Sequence, residues 1–132
     1  MRALKKIKIV FQEKTIECEA LFDTGANITV IQSSFFKKNF GEKWQVLKRS
    51  IHVYWINGHS IKVNKYATLE IIIDEFTFPE TVFLVDEFKQ EVEVEGKRVK
   101  LPNLIIGSGT MDKYGIVLDP KEGVKVVPTL LI

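Results

Sequence analysis

The sequence has few of the features that mark secreted, membrane or metal-binding proteins. It holds one cysteine, Cys18, among 132 residues, so no disulfide can form within the chain. The first twenty residues alternate apolar with charged residues, unlike the unbroken apolar stretch of a signal peptide. No apolar run approaches the roughly 20 residues that cross a bilayer. These absences predict a soluble, cytoplasmic protein with no membrane partner.

The sequence also lacks an excess of charge of one sign. It has 19 basic and 17 acidic residues, a formal net charge of +2. Basic residues concentrate only briefly, in Gly96–Lys100, and we therefore expect no nucleic-acid partner. With 45% hydrophobic residues, a chain of this length can bury one core but not two. A single domain over residues 1–132 is expected.

Apolar and polar residues alternate with a period of two through much of the chain, which predicts half-buried strands. The alternating segments are Leu4–Phe11, Thr15–Phe22, Ile51–Ile56, Ile61–Tyr66, Thr68–Ile73 and Val92–Val94. Asn57-Gly58 favours a type I′ hairpin turn, and Glu95-Gly96 and Pro79 are interpreted as further breaks. The fold class is therefore mainly β.

Two stretches have the pattern of short helices. Ser33–Asn39 begins at a residue type that caps helix amino termini, and Thr110–Tyr114 ends before Gly115, which suits the position after a helix. His52 and His59 lie seven residues apart with no cysteine or acid at ligand spacing, so no metal site is expected. Cys18 has no histidine nearby in the sequence and is interpreted as an ordinary strand residue.

Asp23 is the residue that most clearly suggests chemistry. It follows the apolar Ala20–Phe22 and precedes Ile28–Ile31, which places a carboxylate at a tight turn between two buried strands. A buried carboxylate needs a partner, and a second carboxylate that shares one proton can serve. The chain has no second Asp-Thr-Gly or Asp-Ser-Gly, so that partner would come from a second copy in a twofold homodimer. The alternative is an Asx-type turn, in which Asp23 accepts hydrogen bonds from nearby backbone amides.

Two motifs in order, Ala20–Ile31 and Leu104–Gly107, resemble the retropepsin family of aspartic proteases. Met111–Asp119 resembles the segment that follows the second motif in cellular and transposon-derived relatives. The resemblance implies a closed acid-protease β-barrel with one short C-terminal helix and an active site on a homodimer twofold axis. It implies an aspartic endopeptidase without metal or cofactor, which cleaves extended peptide or protein substrates that have apolar residues near the cut.

The resemblance also implies roles for individual residues. Asp23 would be catalytic, Thr24, Gly25 and Ala26 would support the active loop, and Thr24 would hydrogen-bond across the dimer. The implied substrate-binding residues are Gly25, Asn27, Ile28, Val30, Trp55, Ile56, Asn57, Gly58 and Ile106. His52–Val63 would form a flap hairpin that closes over substrate, with an ordinary surface hairpin as the alternative.

Two further features bear on the dimer and on activity. The apolar residues Leu130, Leu131 and Ile132 are expected at the dimer interface, although packing onto their own subunit is the alternative. Ser108-Gly109 stands where viral members usually carry an Arg followed by an Asp or Asn, so the contacts that hold the active loop must differ. The alternative function is a catalytically silent dimerisation or peptide-binding module with the same fold.

Overall fold

A computed structural model describes residues 1–54, 59–86, 88 and 91–127. These residues form eleven strands and two helices. The strands are β1 (Arg2–Phe11), β2 (Lys14–Asp23), β3 (Val30–Gln32), β4 (Gln45–Tyr54), β5 (Ser60–Ile73), β6 (Phe76–Val85), β7 (Glu91–Val94), β8 (Lys97–Lys100), β9 (Leu104–Gly107), β10 (Ile116–Asp119) and β11 (Gly123–Val126). The helices are α1 (Ser33–Phe40) and α2 (Ser108–Tyr114). Neither helix is long and apolar enough to span a membrane.

Six strands close into a barrel in the order β1-β2-β9-β3-β6-β5, because β5 also pairs with β1. Closure gives each of these strands a paired neighbour on both sides over at least part of its length. β4 pairs with the first half of β5 and extends beyond the barrel, while β7 with β8 and β10 with β11 form separate two-stranded hairpins. The prediction of a mainly β, closed acid-protease barrel is confirmed.

The strand register fixes the position of Asp23 at the end of β2. On one side β2 pairs antiparallel with β1, so that Arg2 lies opposite Asp23. On the other side β2 runs parallel to β9, and Asp23 lies opposite Gly107. The carboxylate therefore projects from backbone that neighbouring strands hold on both sides.

Alternation along the strands sorts the buried side chains into two clusters. In β2, Ala20 and Phe22 enter the barrel core, whereas Leu21 faces a second, smaller cluster that includes Val30 and Ile105. Phe22 is fully buried, and burying such a side chain stabilises the fold by about 1.5–3 kcal/mol. The two clusters lie on opposite faces of the same strands. Packing in the barrel core therefore fixes the position of the sheet whose other face carries the second cluster.

The predicted strands are present within the described residues, with two differences; Trp55 and Ile56, at the end of the predicted Ile51–Ile56, lie outside those residues. Ile61–Tyr66 and Thr68–Ile73 belong to one continuous strand, β5. The prediction that Pro79 breaks the chain between elements is wrong, because Pro79 lies within β6. Within the described residues, β3 pairs only with Phe83–Val85 of β6. Beside Pro79, that side of β6 has no neighbouring strand to accept a hydrogen bond, so a residue without an N–H is tolerated there.

The helices also differ from the predictions. Ser33 is the first residue of α1, not its cap, and Gln32 occupies the cap position. The buried Ser33 hydroxyl has no hydrogen-bond partner among the residues that the structure describes. α2 begins at Ser108 and ends before Gly115, which takes the expected left-handed conformation. Both short helices that the sequence pattern predicted are present, and α2 is the short C-terminal helix that the resemblance implied. Phe36 and Phe40 pack α1 onto the barrel core.

Gly107 ends β9 against the loop between β2 and β3. A Cβ atom there would lie 2.4 Å from the carbonyl oxygen of Ile28 and 2.8 Å from that of Ala26. We expect Gly107→Ala to lower the free energy of unfolding by about 3 kcal/mol, because the clash is with backbone that cannot rotate away. Urea unfolding followed by circular dichroism measures the change.

Gly41→Ala is the matched control for this prediction. Gly41 has a positive φ of 81° but no atom within 4 Å of an added Cβ, so its substitution tests backbone strain alone. We expect a loss of about 1 kcal/mol. Equal losses at Gly41 and Gly107 would contradict the packing explanation.

Candidate active site

Asp23 is a buried carboxylate, with only 8% of the residue exposed. Its Oδ1 accepts a hydrogen bond of 2.8 Å from the backbone N–H of Gly25, and its own carbonyl accepts one of 3.1 Å from the N–H of Ala26. These bonds make a tight turn immediately after β2. Gly25 suits this turn because a Cβ there would lie 3.2 Å from Oδ1, closer than most Cβ contacts.

The second carboxylate oxygen of Asp23 has a cationic partner. Arg2 donates from Nε to Oδ2 at 3.1 Å, and from Nη1 to the carbonyl oxygen of Glu93 at 3.1 Å. The pair is partly buried, with 26% of the Arg2 side chain and 11% of the Asp23 side chain exposed. Arg2 therefore offsets the cost of burying this charge, and it links the carboxylate to strand β7.

Thr24 is exposed and is held by the start of β1. Its N–H and its hydroxyl both donate to the carbonyl oxygen of Met1, at 3.0 and 3.2 Å. The amine of Met1 in turn donates to the Thr24 hydroxyl at 2.8 Å. The turn after β2 is thus held within one chain by backbone contacts to β1.

The start of α2 holds the same loop from the other side. The N–H groups of Ser108 and Gly109 donate to the carbonyl oxygens of Ala26 and Asn27, at 2.6 and 3.0 Å. A Cβ on Gly109 would lie 2.7 Å from the Asn27 oxygen. This close approach explains why the small residues Ser108 and Gly109 follow Gly107. Their backbone amides must come near enough to hydrogen-bond to the loop between β2 and β3.

A buried pair of threonines lies beneath this contact. The hydroxyls of Thr29 and Thr110 are 2.6 Å apart, and the N–H of Gly107 donates to the Thr29 hydroxyl at 3.2 Å. Both threonines are at least 96% buried. Buried polar groups of this kind stabilise a structure only when each has a partner, and the geometry here meets that condition.

A cleft of about 620 Å³ opens beside Asp23. Its walls are mainly apolar and include Leu21, Val30, Ile51, Val53, Val92 and Ile105. Its charged lining residues are Arg2, Asp23, Glu91, Glu93 and Arg98. The site is an apolar groove with a buried carboxylate at one wall, which suits an extended ligand with apolar side chains.

Comparison with known sequences assigns the family. A sequence model described as retroviral aspartyl protease matches residues 1–118. The chain belongs to the retroviral aspartyl protease family. The match includes the Asp-Thr-Gly turn, strand β9 and helix α2, so it spans every element of the site described above.

Solved structures agree with this assignment on the fold. The retroviral protease-like domain of Ddi1 from Leishmania major is similar with a TM-score of 0.60 and 10% identity, over 96% of this chain and 95% of that one. Lpg0085, a protein of unknown function from Legionella pneumophila subsp. pneumophila, is similar with a TM-score of 0.50 and 14% identity, over 87% and 89%. Curated protein sequences gave no significant match. At these identities the likeness shows the fold alone.

The site of this family member contains many of the residues that the sequence singled out. Gly25, Asn27, Ile28 and Val30 line the cleft beside Asp23. The expected flap-tip residues Trp55, Ile56, Asn57 and Gly58 lie outside the described residues, as do Leu130, Leu131 and Ile132 at the expected dimer interface. The flap and the interface therefore remain predictions.

The assignment of Ile106 to substrate binding is corrected. Ile106 is fully buried in the barrel core, and its neighbour Ile105 lines the cleft. Successive residues of β9 point to opposite faces of the sheet, so only one of the two can face substrate. The pairing of Ile105 with Leu21 decides which one, because both face the smaller cluster.

Arg2 and the β7–β8 hairpin are the parts of the site that the sequence did not reveal. Arg2 could have been found from the register of the first hairpin, since counting back from its turn places Arg2 opposite Asp23. No comparable pattern in the sequence pointed to Glu91, Glu93 and Arg98. They lie beyond β6 in the chain, and only the tertiary fold brings them to the cleft.

The sequence also raised Cys18, His52 and a metal site as candidates for chemistry. Burial, and then the charge of Glu17, raises the pKa of Cys18 to about 11, which keeps the thiol protonated and a poor nucleophile near neutral pH. Among the described residues, no three or more His, Cys, Asp or Glu side chains are grouped to hold a metal ion. His52 lines the cleft through its position on β4.

The Thr29–Thr110 contact can be tested with a double-mutant cycle. We expect Thr29→Val to lower the free energy of unfolding by about 2 kcal/mol, since it leaves the Thr110 hydroxyl and the Gly107 N–H without their partner. Thr110→Val should cost less, because Gly107 keeps its bond to Thr29. Thermal and urea unfolding of both single variants and the double variant give the coupling energy. Additive losses would show that the two hydroxyls do not act together.

Proposed function

We propose that this protein is an aspartic endopeptidase that acts as a homodimer. In this proposal two Asp23 carboxylates, one from each protomer, activate a water molecule that hydrolyses a peptide bond. The single observation that carries the proposal is the placement of Asp23, a buried carboxylate at the wall of a largely apolar cleft. Membership of the retroviral aspartyl protease family supports it.

The second carboxylate of the proposed site has to come from another chain. Within the described residues, Asp23 contacts the N–H of Gly25 and the guanidinium of Arg2, and no second carboxylate. Two carboxylates brought together share a single proton, as in aspartic proteases generally, because two adjacent negative charges repel strongly. A twofold dimer brings together identical residues, which suits a reaction that needs one acid and one base of the same kind.

The proposed mechanism assigns one role to each Asp23. The ionised carboxylate takes a proton from water, and the water oxygen attacks the carbonyl carbon of the scissile bond. The protonated Asp23 of the partner gives its proton to the carbonyl oxygen, which forms a tetrahedral diol. The first Asp23 then gives the proton that it took from water to the amide nitrogen, the partner's Asp23 takes a proton from a diol hydroxyl, and the C–N bond breaks as the carbonyl forms again. The pair ends with one shared proton, as it began, and no metal or cofactor takes part.

The substrate in this proposal is an extended polypeptide with apolar residues near the cut. Strand β4 carries Ile51 and Val53 towards the cleft, opposite the walls formed by Leu21, Val30 and Ile105. An extended peptide between these walls would place alternate side chains in apolar pockets. The arms of the proposed flap are β4 and the first half of β5, which pair with each other, and β4 contributes Ile51 and Val53 to the cleft lining.

Substitution of the proposed catalytic acid tests the function directly. We expect Asp23→Asn to lower kcat/KM by about a thousandfold or more, because an amide can neither accept nor deliver the shared proton. Cleavage of a mixed peptide library, followed by mass spectrometry, measures the loss. Asp112→Asn is the matched control, since it makes the same change at an exposed position on α2. Full activity of the Asp23→Asn protein would reject the proposed chemistry.

Subunit mixing tests whether the site needs two chains. Wild-type protein and the Asp23→Asn variant are mixed in equal amounts at constant total concentration, and time is allowed for exchange. If each active site needs two Asp23 residues, activity should fall to about a quarter of the wild-type value, because only dimers of two wild-type chains retain the pair. A site complete within one chain would retain about half. Light scattering confirms that the mixed species are dimers.

The catalytically silent alternative has one observation in its favour. The Arg2–Asp23 pair satisfies the buried carboxylate within a single chain, so this fold does not require a second carboxylate for stability. A silent peptide-binding module would bind the library peptides and release them uncut. Wild-type and Asp23→Asn proteins would then bind with the same affinity and show no cleavage.

A further inference from the structure

The charges that line the cleft do not balance. With histidine taken as neutral, the lining carries two arginines and three acids: Arg2, Arg98, Asp23, Glu91 and Glu93. Two ion pairs account for four of them, Arg2 with Asp23 and Arg98 with Glu91, each at 3.1 Å. The side chain of Glu93 makes no hydrogen bond or ion pair with any residue that the structure describes. Within the described residues, Glu93 is therefore the cleft-lining acid whose side chain makes no ion pair, although Arg98 lies opposite it in the β7–β8 register.

The backbone of Glu93 is held in place. Its carbonyl oxygen accepts the hydrogen bond from Arg2, and β7 pairs with β8 across four residue pairs. Val92 and Val94 pack into the smaller cluster, and Val92 also lines the cleft. A charged group on such an anchored strand keeps a defined position, unlike one on a loop.

Glu93 is also near the proposed catalytic carboxylate. One guanidinium group, that of Arg2, joins Asp23 Oδ2 to the Glu93 carbonyl oxygen. Glu93 and Asp23 line both the main cleft and a smaller adjoining pocket. An extended peptide advances about 3.3 Å per residue, so Glu93 lies within reach of side chains close to the cut.

We propose that Glu93 determines specificity by favouring a lysine or arginine side chain within three residues of the scissile bond. This inference rests on the proposed peptidase function. The cationic side chain of the substrate forms the ion pair that Glu93 lacks. Apolar side chains of the same substrate contact the apolar walls of the cleft beside it. In a homodimer each protomer contributes one Glu93, so the preference holds on both sides of the cut.

The test uses peptides that share one apolar core and differ at one position at a time. Each of the three positions before and after the cut carries Lys, Gln or Glu in turn, and kcat/KM is measured for each peptide. At the position that Glu93 reaches, kcat/KM of the wild-type protein should be about tenfold higher for the Lys peptide than for the Glu peptide. Attraction of Lys and repulsion of Glu each contribute a factor of a few. The preference should weaken as salt concentration rises.

Charge substitutions identify the residue responsible. We expect Glu93→Gln to bring the Lys and Glu peptides to nearly equal rates and Glu93→Lys to reverse their order. Glu70→Gln, an exposed residue on β5 that lies outside the cleft lining, changes the net charge equally and should keep the wild-type preference. A preference unchanged in both Glu93 variants, or no preference in the wild type, overturns the proposal.

Failure of the peptidase itself is distinguished by measuring binding. Fluorescence anisotropy of labelled Lys and Glu peptides with the Asp23→Asn protein reports the charge preference without cleavage. A preference for Lys in binding, abolished by adding Glu93→Gln, supports the role of Glu93 even if no peptide is cut. Equal binding of both peptides rejects it, whether or not the wild-type protein cleaves.

Discussion

The burial of one carboxylate is the constraint on which the rest of this site depends. Asp23 ends a strand that is hydrogen-bonded on both sides, so its charge cannot turn out to bulk water without disrupting the barrel. Its two oxygens are satisfied by the Gly25 amide and the Arg2 guanidinium. The turn after β2, the register of the first hairpin and the glycine opposite Asp23 all serve this arrangement. A buried charge is tolerated only with such partners, and here they come from two separate segments, the start of β1 and the turn after β2.

Two apolar clusters give the molecule both a closed core and an open cleft. Residues that point into the barrel are covered on all sides, while residues on the opposite face of the same strands form the smaller cluster under the cleft. The β7–β8 hairpin and the arms of β4 and β5 cover only part of that second cluster. The remaining apolar wall is available to a ligand, and the same sheet fixes the wall and the carboxylate relative to each other.

Arg2 connects the electrostatics of the site to its shape. Its guanidinium spans from the Asp23 carboxylate to the backbone of β7, so the β7–β8 hairpin and the turn after β2 are joined through one side chain. In a single chain this contact neutralises Asp23. In the proposed dimer a shared proton would perform part of that role, and the contact with β7 would still hold the hairpin at the edge of the cleft. Ser108 and Gly109 complete the support through backbone amides.

The sequence by itself determined the strands, the Asp-Thr-Gly turn and the family, because alternation, turn chemistry and two ordered motifs are local properties of the chain. It also placed Gly25, Asn27, Ile28 and Val30 at the site, since they follow Asp23 directly. Only the tertiary structure decided that β9 faces the cleft through Ile105, that β6 continues through its proline, and that Arg2 joins Asp23 to the backbone of Glu93. Those outcomes depend on register and on pairing between distant segments, which a local pattern does not specify.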